Sequence, residues 1–361
     1  MQGLIPLVRG ALNRIVAPMR IFVTGATGVV GRRAVPLLLA AGHGVTAAGR
    51  SRERLTELAD AGAQAAVVNL FDGDGLRRAL AGHDAVVNLA THIPPTNLRA
   101  FLPGAWTEND RIRSQASALL VDAARANGIA RFVQESFAPM VPDRGNLWIW
   151  EDTPPEPTRY NKSALDAEAN AQRAEIGVVL RFGYLYGAGD GFTDNVLRGV
   201  RRGWLALFGR PEAFFSMVNH DDAAAAVLAA LALPAGIYNV VDQGPMTRRD
   251  LGAMLAELLE VRPPRMLPRT LTLLAGSMGE LLGRSCRISS RKLRTASSWA
   301  PKYDARRGWG EALRALAVAE SATHDTITGG GIRARRRARL HGHRPLRNPP
   351  TPRSRRHGRG L

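Results

Sequence analysis

The chain reads as an α/β protein built on a doubly wound parallel sheet, with a smaller, mostly helical C-terminal lobe. Three observations predict this. Short apolar runs alternate with helical stretches from residue 20 to about 182, the pattern of parallel strands joined by helical crossovers. The first apolar run leads straight into glycines at 25, 28 and 31. The chain has 361 residues and is 45% hydrophobic, enough to bury a sheet on both faces.

The elements follow in order. Strands are expected at Ile21–Thr24, Val45–Ala48, Ala66–Asn69, Ala85–Leu89, Arg131–Glu135 and Val178–Phe182. Helices are expected between them, at 29–41, 52–61, 74–81, 107–127 and 161–175. Beyond residue 183 the alternation stops. Helices are expected at 193–203, 221–232, 247–259, 268–283 and 308–320, and one strand, Gly236–Val241, rejoins the sheet. This divides the chain into an extension (1–18), a sheet domain (19–185), a lobe (186–320) and a tail (321–361). Met19 stands directly before the first strand, so residues 1–18 read as an extension; they lack the apolar core and cleavage site of a signal peptide.

Open sheets of this kind bind ligands beyond the carboxyl ends of their strands. The glycine turn, Gly49-Arg50, Ala90-Thr91 and Ser136 all fall there. Glycine allows the turn a positive φ and lets backbone approach a ligand closely. The helix after the turn points unpaired N–H groups and the positive end of its dipole at the same place. The unit Ile21 to Ala48 therefore looks built to hold a dinucleotide pyrophosphate.

Composition excludes several classes. The single cysteine, Cys286, permits no internal disulfide and no cysteine-based metal site, and it fits a reducing cytoplasm. No His, Asp and Glu cluster has metal-ligand spacing. The most apolar stretch, 267–283, is broken by Arg269 and Glu280 and is too short to span a bilayer. The net charge of +18 is mostly a tail effect: residues 331–361 hold eleven arginines and no acids, which leaves +7 for the rest. That segment has too few apolar residues to fold and no aromatic residue to stack on bases. We read it as an unfolded terminus rather than a nucleic-acid-binding arm.

Taken in order, the motifs resemble the extended or atypical short-chain dehydrogenases, the NAD-dependent epimerase/dehydratase group. Thr-Gly-Ala-Thr-Gly-Val-Val-Gly (24–31) resembles the cofactor fingerprint of that family. Leu80 to Ala90 resembles its fourth strand, and Arg131-Phe132-Val133-Gln134-Glu135-Ser136 the strand that ends in a catalytic serine. Leu180-Arg181-Phe182-Gly183-Tyr184-Leu185-Tyr186-Gly187 resembles its Arg-Pro-x-x-x-Tyr-Gly segment. Val218 to Ala224, Tyr238-Asn239-Val240 and Trp299-Ala300-Pro301 match later landmarks. The resemblance covers about residues 19–320 and implies a Rossmann-like domain. It implies cofactor contacts from Gly25, Thr27, Gly28, Val29, Val30, Gly31, Arg50, Asn69, Leu70, Leu89, Ala90, Thr91 and Arg181, and a homodimer paired through helices 107–127 and 161–175.

Arg50 ends the second strand where an acid would bind a ribose hydroxyl. A guanidinium there suits a 2′-phosphate, so the cofactor expected is NADP, with NAD as the alternative. Ser51, Arg54 and Arg32 are further candidates for that phosphate, and Asn69 for the adenine.

The resemblance gives Tyr160 the role of proton carrier and Ser136 that of polarising the substrate oxygen. The lysine it implies four residues after the tyrosine is Ala164. Lys162, two residues on, does not share a helix face with Tyr160. A free phenol is ionised in about one part in a thousand at pH 7, so a tyrosine without a cation is a poor base but still a competent donor. Reduction of a carbonyl is therefore expected over oxidation-first chemistry; the alternative is a protein that binds the cofactor without turnover. His220 reads as a structural residue and Asp221 as a helix N-cap. Trp204, Phe208, Phe214, Phe215 and Met217 give the lobe an apolar character that fits a partly hydrophobic or nucleotide-linked carbonyl substrate.

Overall fold

The computed structural model describes residues 17–94, 100, 102, 104–205 and 207–318. Most of the expected extension and all of the basic tail lie outside the described residues. Met1–Ala315 form one compact unit and Leu316–Leu361 a second; the sheet and its lobe belong to the first.

Seven parallel strands form the central sheet: β1 (Arg20–Thr24), β2 (Gly44–Gly49), β3 (Gln64–Val67), β4 (Ala85–Asn88), β5 (Arg131–Phe137), β6 (Ile176–Phe182) and β7 (Gly236–Val240). Their order across the sheet is β7-β6-β5-β4-β1-β2-β3. Order reverses between β1 and β4, where Thr24 pairs with Asn88, and that switch point opens the crevice in which such sheets bind ligands. The crossovers are α1 (Gly31–Ala40), α2 (Arg52–Asp60), α3 (Gly73–Ala79), α4 and α5 (Ser163–Ala171). Helix α4 runs from Thr107–Arg111 through a π turn, Ile112–Ala116, into Ser117–Ala126.

Strand side chains alternate between faces, and both faces are covered. Ile21, Val23, Val87, Val133 and Leu180 share one core with Ala34 and Leu38 of α1 and with Val227 of a later helix. Phe22, Val86, Phe132 and Val179 share the other with Leu76 of α3, Leu120 and Val121 of α4 and Ala171 of α5. This is why the strands read as continuous apolar runs.

Several element ends shift by one or two residues from expectation, and two elements differ in a way that bears on the site. β3 begins and ends two residues early, because its register is set by β2, with Gly49 opposite Val67. As an exposed edge strand it carries little burial pattern of its own. Helix α5 is shorter at both ends than the expected 161–175, so Tyr160 stands in a turn ahead of it.

The lobe contains α6 (Gly191–Arg201), α7 (His220–Ala230) and α8 (Arg248–Leu258). The expected helix 268–283 is two helices, Arg269–Leu274 and Gly276–Gly283, broken where Gly276 takes φ +55. The lobe also holds short strands that sequence periodicity cannot reveal at two or three residues, such as Met217–Asn219 paired with Tyr184–Tyr186. Among the described residues no helix is long and apolar enough to cross a membrane.

The cap of α7 is Asn219, whose Oδ1 accepts from Asp221 N at 2.9 Å. Asp221 lies one step inside the helix, where it takes the Arg33 guanidinium at 2.8 Å. His220 is fully buried, and neither ring nitrogen has a hydrogen-bond partner among the described residues. Burial, with Arg33 and Arg32 nearby, lowers its pKa to about 3; Asp190, 3.6 Å away, does not offset them. His220 is therefore neutral in the fold and gains a proton on unfolding below its free pKa. Its contribution to stability is whole above about pH 6.5 and falls by about 1.4 kcal/mol per pH unit from there toward pH 3. Urea unfolding at pH 7 and pH 5 should show His220→Gln losing about 2 kcal/mol less than wild type over that interval.

Candidate active site

The site is assembled at the carboxyl ends of β1, β2, β4, β5 and β6. Each glycine of the first turn has a separate reason to be glycine. Gly25 has φ +65, and a Cβ there would lie 2.4 Å from the Leu89 backbone at the end of β4. A Cβ on Gly31 would meet Gly25 O at 2.3 Å. Gly28 differs: its only near neighbour is Gly25 O at 3.2 Å, and it is exposed. Two glycines thus close the turn on the sheet, and the third leaves its outer surface clear. Helix α1 starts behind it with no side-chain cap and no acid in its first turn. An uncapped N-terminus behind a bare turn fits a pyrophosphate.

Thr27 and Val29 are half-buried at this turn, and Val30 is buried. At the end of β2, Arg50 is exposed and has no hydrogen-bond or carboxylate partner among the described residues. The Ser51 hydroxyl is taken by Glu53. Arg32 donates to Gly189 O at 3.2 Å, which commits it in part to the loop after β6. Asn69 is exposed, and its Oδ1 accepts from Phe71 N at 3.0 Å, leaving its amide nitrogen outward. Leu89 and Ala90 are buried beside Gly25, and Thr91 is half-buried.

A buried polar chain ties the strand ends together. Thr24 Oγ1 donates to Asn88 Oδ1 at 2.5 Å, and Asn88 Nδ2 donates to Gln134 Oε1 at 2.8 Å. Arg113, carried on the π turn of α4, grips Glu135 with two bonds of 3.1 Å. Burial raises the Glu135 carboxyl above the usual carboxylate range, with Arg113 opposing it. Beside it, Arg181 grips Glu168 of α5 at 2.8 and 2.7 Å.

Two residues expected at the chemistry are used differently. The Ser136 hydroxyl is buried and donates to Glu168 Oε1 at 2.6 Å, so its proton is not directed at a substrate oxygen. Arg181 is buried in its pair with Glu168, which takes up its guanidinium. Adjacent strand residues point to opposite sides, and the one packed toward Tyr160 is Phe137. Among the described residues Ser136 and Tyr160 share no hydrogen bond.

Tyr160 is buried against Met278, Leu281, Trp106 and Phe137, with the Trp106 ring edge-on at 5.8 Å. Its phenol oxygen accepts a hydrogen bond from Arg159 Nη2, and the Arg159 guanidinium carbon lies 4.6 Å from its ring centroid. Ala164 is fully buried and Lys162 exposed. Neither Arg159 nor Glu168 stands out in the sequence. For Arg159 the available signal was adjacency to the tyrosine; for Glu168 no local signal existed.

The surroundings are aromatic. Phe137 meets Tyr184 edge-on at 5.5 Å, and Tyr184 stacks on Phe215 at 4.1 Å. Of the apolar lobe residues expected, Phe215 and Met217 are buried in the lobe, whereas Trp204 is exposed. The helix Gly276–Gly283 has two sides: Met278 and Leu281 on Tyr160, Gly279 and Glu280 on a cavity of about 470 Å³ also lined by Arg210 and Thr272. Among the described residues no group of His, Cys, Asp or Glu could hold a metal ion.

The family model described as NAD(P)H-binding matches residues 25–232. A Streptomyces protein named 3-diazoavenalumate denitrifying reductase is 33% identical over 301 residues, covering 79% of this chain and 97% of the relative. The dTDP-4-dehydrorhamnose reductase of Streptomyces griseus is 30% identical over 277 residues, covering 71% and 81%. Among solved structures, MoeE5 in complex with UDP-glucuronic acid and NAD aligns with TM-score 0.67 at 21% identity, over 83% of this chain and 99% of that one. The Bordetella bronchiseptica enzyme WbmG in complex with NAD aligns with TM-score 0.68 at 20% identity, over 85% and 96%. The chain belongs to the NAD(P)H-binding family, together with relatives named as reductases.

Proposed function

We propose that the protein is an NADP(H)-dependent reductase acting on a partly hydrophobic or nucleotide-linked carbonyl compound. The observation that carries the cofactor choice is Arg50: an exposed guanidinium with no carboxylate partner among the described residues, at the strand end next to the open glycine turn. Gly25, Thr27, Gly28, Val29, Val30 and Gly31 would hold the pyrophosphate, and Arg50 the 2′-phosphate. Asn69 and Leu70 would border the adenine; Leu89, Ala90 and Thr91 would border the remainder. When bound, the reduced cofactor supplies a hydride. Tyr160 acts in its neutral form as the donor that protonates the developing alkoxide. Trp106, Phe137 and Leu281 exclude water around it, which strengthens that hydrogen bond. Reduction is favoured because it begins from the protonated phenol. The cytoplasm and a homodimer through α4 and α5 complete this reading; sedimentation at micromolar protein tests the dimer.

A second reading follows from Ser136. With its hydroxyl committed to Glu168, the site is short of acid–base groups, and a diazo carbon, from which dinitrogen leaves, needs no alkoxide protonation. The relative named for reductive denitrification of a diazo compound supports it. The two readings separate at Tyr160→Phe: carbonyl reduction should fall by about 100-fold or more, whereas diazo reduction should persist. NADPH oxidation with dTDP-4-dehydrorhamnose and with 3-diazoavenalumate measures both.

The cofactor assignment has its own tests. Arg50→Ala should weaken NADPH binding by about 10- to 100-fold, the worth of one or two charge-assisted hydrogen bonds, and leave NADH binding within a factor of about two; cofactor fluorescence titration reads both. Gly28→Val should abolish binding with stability changed by about 1 kcal/mol or less, whereas Gly31→Val should also unfold the protein at lower urea, by at least about 2 kcal/mol.

A further inference from the structure

We propose that Arg159 is the cation that serves Tyr160 in this chain, holding the phenol hydroxyl in place and stabilising the charge left on its oxygen when the proton is given up. This rests on the reductase reading above. The turn before α5 supplies the first reason. Thr158 N donates to Asn161 Oδ1 at 2.7 Å, and Lys162 N donates to Thr158 O at 3.1 Å. These bonds close a turn over 158–162 and delay the helix to Ser163. Tyr160 is therefore not on the helix, and the geometric reason for a partner four residues later is gone. Position 164 is occupied by a fully buried alanine, where an unpaired ammonium would be costly.

Arg159 meets the requirement in another way. Its guanidinium donates to the phenol oxygen and also lies over the ring, two contacts that fix one orientation. Arg159 is exposed, whereas the buried cations nearby are occupied: Arg113 is paired with Glu135, and Arg181 with Glu168. Among the described residues no carboxylate is paired with Arg159, so its charge is not cancelled. Lys162 is exposed, and among the described residues it makes no hydrogen bond or cation–π contact with Tyr160. The apolar packing of Trp106, Met278 and Leu281 around the ring raises the worth of a charge at the oxygen by keeping water away.

With the reduced dinucleotide bound, the substrate carbon would gain a hydride and the π pair of the carbonyl would move to oxygen. That oxygen takes the proton of Tyr160 as the phenol O–H bond breaks. The phenolate is held by Arg159 until a proton from water restores it. Arg159 is thus a positioning residue that acts through Tyr160; it exchanges no proton, since a guanidinium stays charged.

The test uses the full chain with phenanthrenequinone and dTDP-4-dehydrorhamnose as probes. Arg159→Ala should lower kcat by about 100-fold, as loss of a preorganised donor does, with KM for NADPH within about threefold. Arg159→Lys should recover most of the loss, and millimolar guanidinium should restore part of the activity of Arg159→Ala. A second readout needs no turnover. The ultraviolet resonance Raman bands of Tyr160, taken as wild type minus Tyr160→Phe, report hydrogen bonding at the phenol oxygen. Arg159→Ala should shift them and Arg159→Lys should not. Unchanged kcat or an unshifted Raman signature in Arg159→Ala overturns the proposal. Failure of the wild type to oxidise NADPH with any probe overturns the reductase reading instead, and the Raman comparison then still decides the role of Arg159.

Discussion

The buried carboxylate of Glu168 is the interaction on which the arrangement of the site depends. It accepts the Ser136 hydroxyl at 2.6 Å and both arms of Arg181 at 2.8 and 2.7 Å. Those bonds join α5 to the ends of β5 and β6. Breaking such a pair by removing one member costs about 3–5 kcal/mol, since an uncompensated charge is left inside. The carboxylate therefore holds α5 at one height against the sheet. That height sets where the turn 158–162 sits, and with it Tyr160.

The same interaction explains why the site departs from the family's usual division of labour. A hydroxyl that donates to Glu168 cannot also donate to a substrate oxygen, so Ser136 supports the scaffold. On the opposite side of β5, Phe137 joins Trp106 and Leu281 around Tyr160. Tyr160 thus lies in apolar surroundings with the Arg159 guanidinium at its oxygen.

The cofactor region was more legible than the catalytic region, for a physical reason. The roles of Gly28 and Gly31 follow from close approaches within one turn, Gly25 is marked by its place in the same spacing although it abuts Leu89 of β4, and Arg50 follows from its place at the end of β2. These are short-range facts, so spacing reveals them. The catalytic region is built by side chains that meet across the fold: Ser136 and Glu168 are 32 residues apart, and Thr24 and Asn88 are 64 apart. Arg181 looked available because a sequence does not display its partner. Lobe strands of two or three residues have no period to read. β3 slipped by two residues because an exposed edge strand takes its register from β2.

By itself the sequence determined the alternation of strands and helices, the order of the motifs, the glycine turn and the absence of a lysine at position 164. Local spacing and residue type encode each of these directly. Only the tertiary structure decided which charges are spent and which remain available. Burial and pairing bring together residues distant along the chain: they tie Ser136 and Arg181 to Glu168 and leave Arg50 without a carboxylate partner among the described residues.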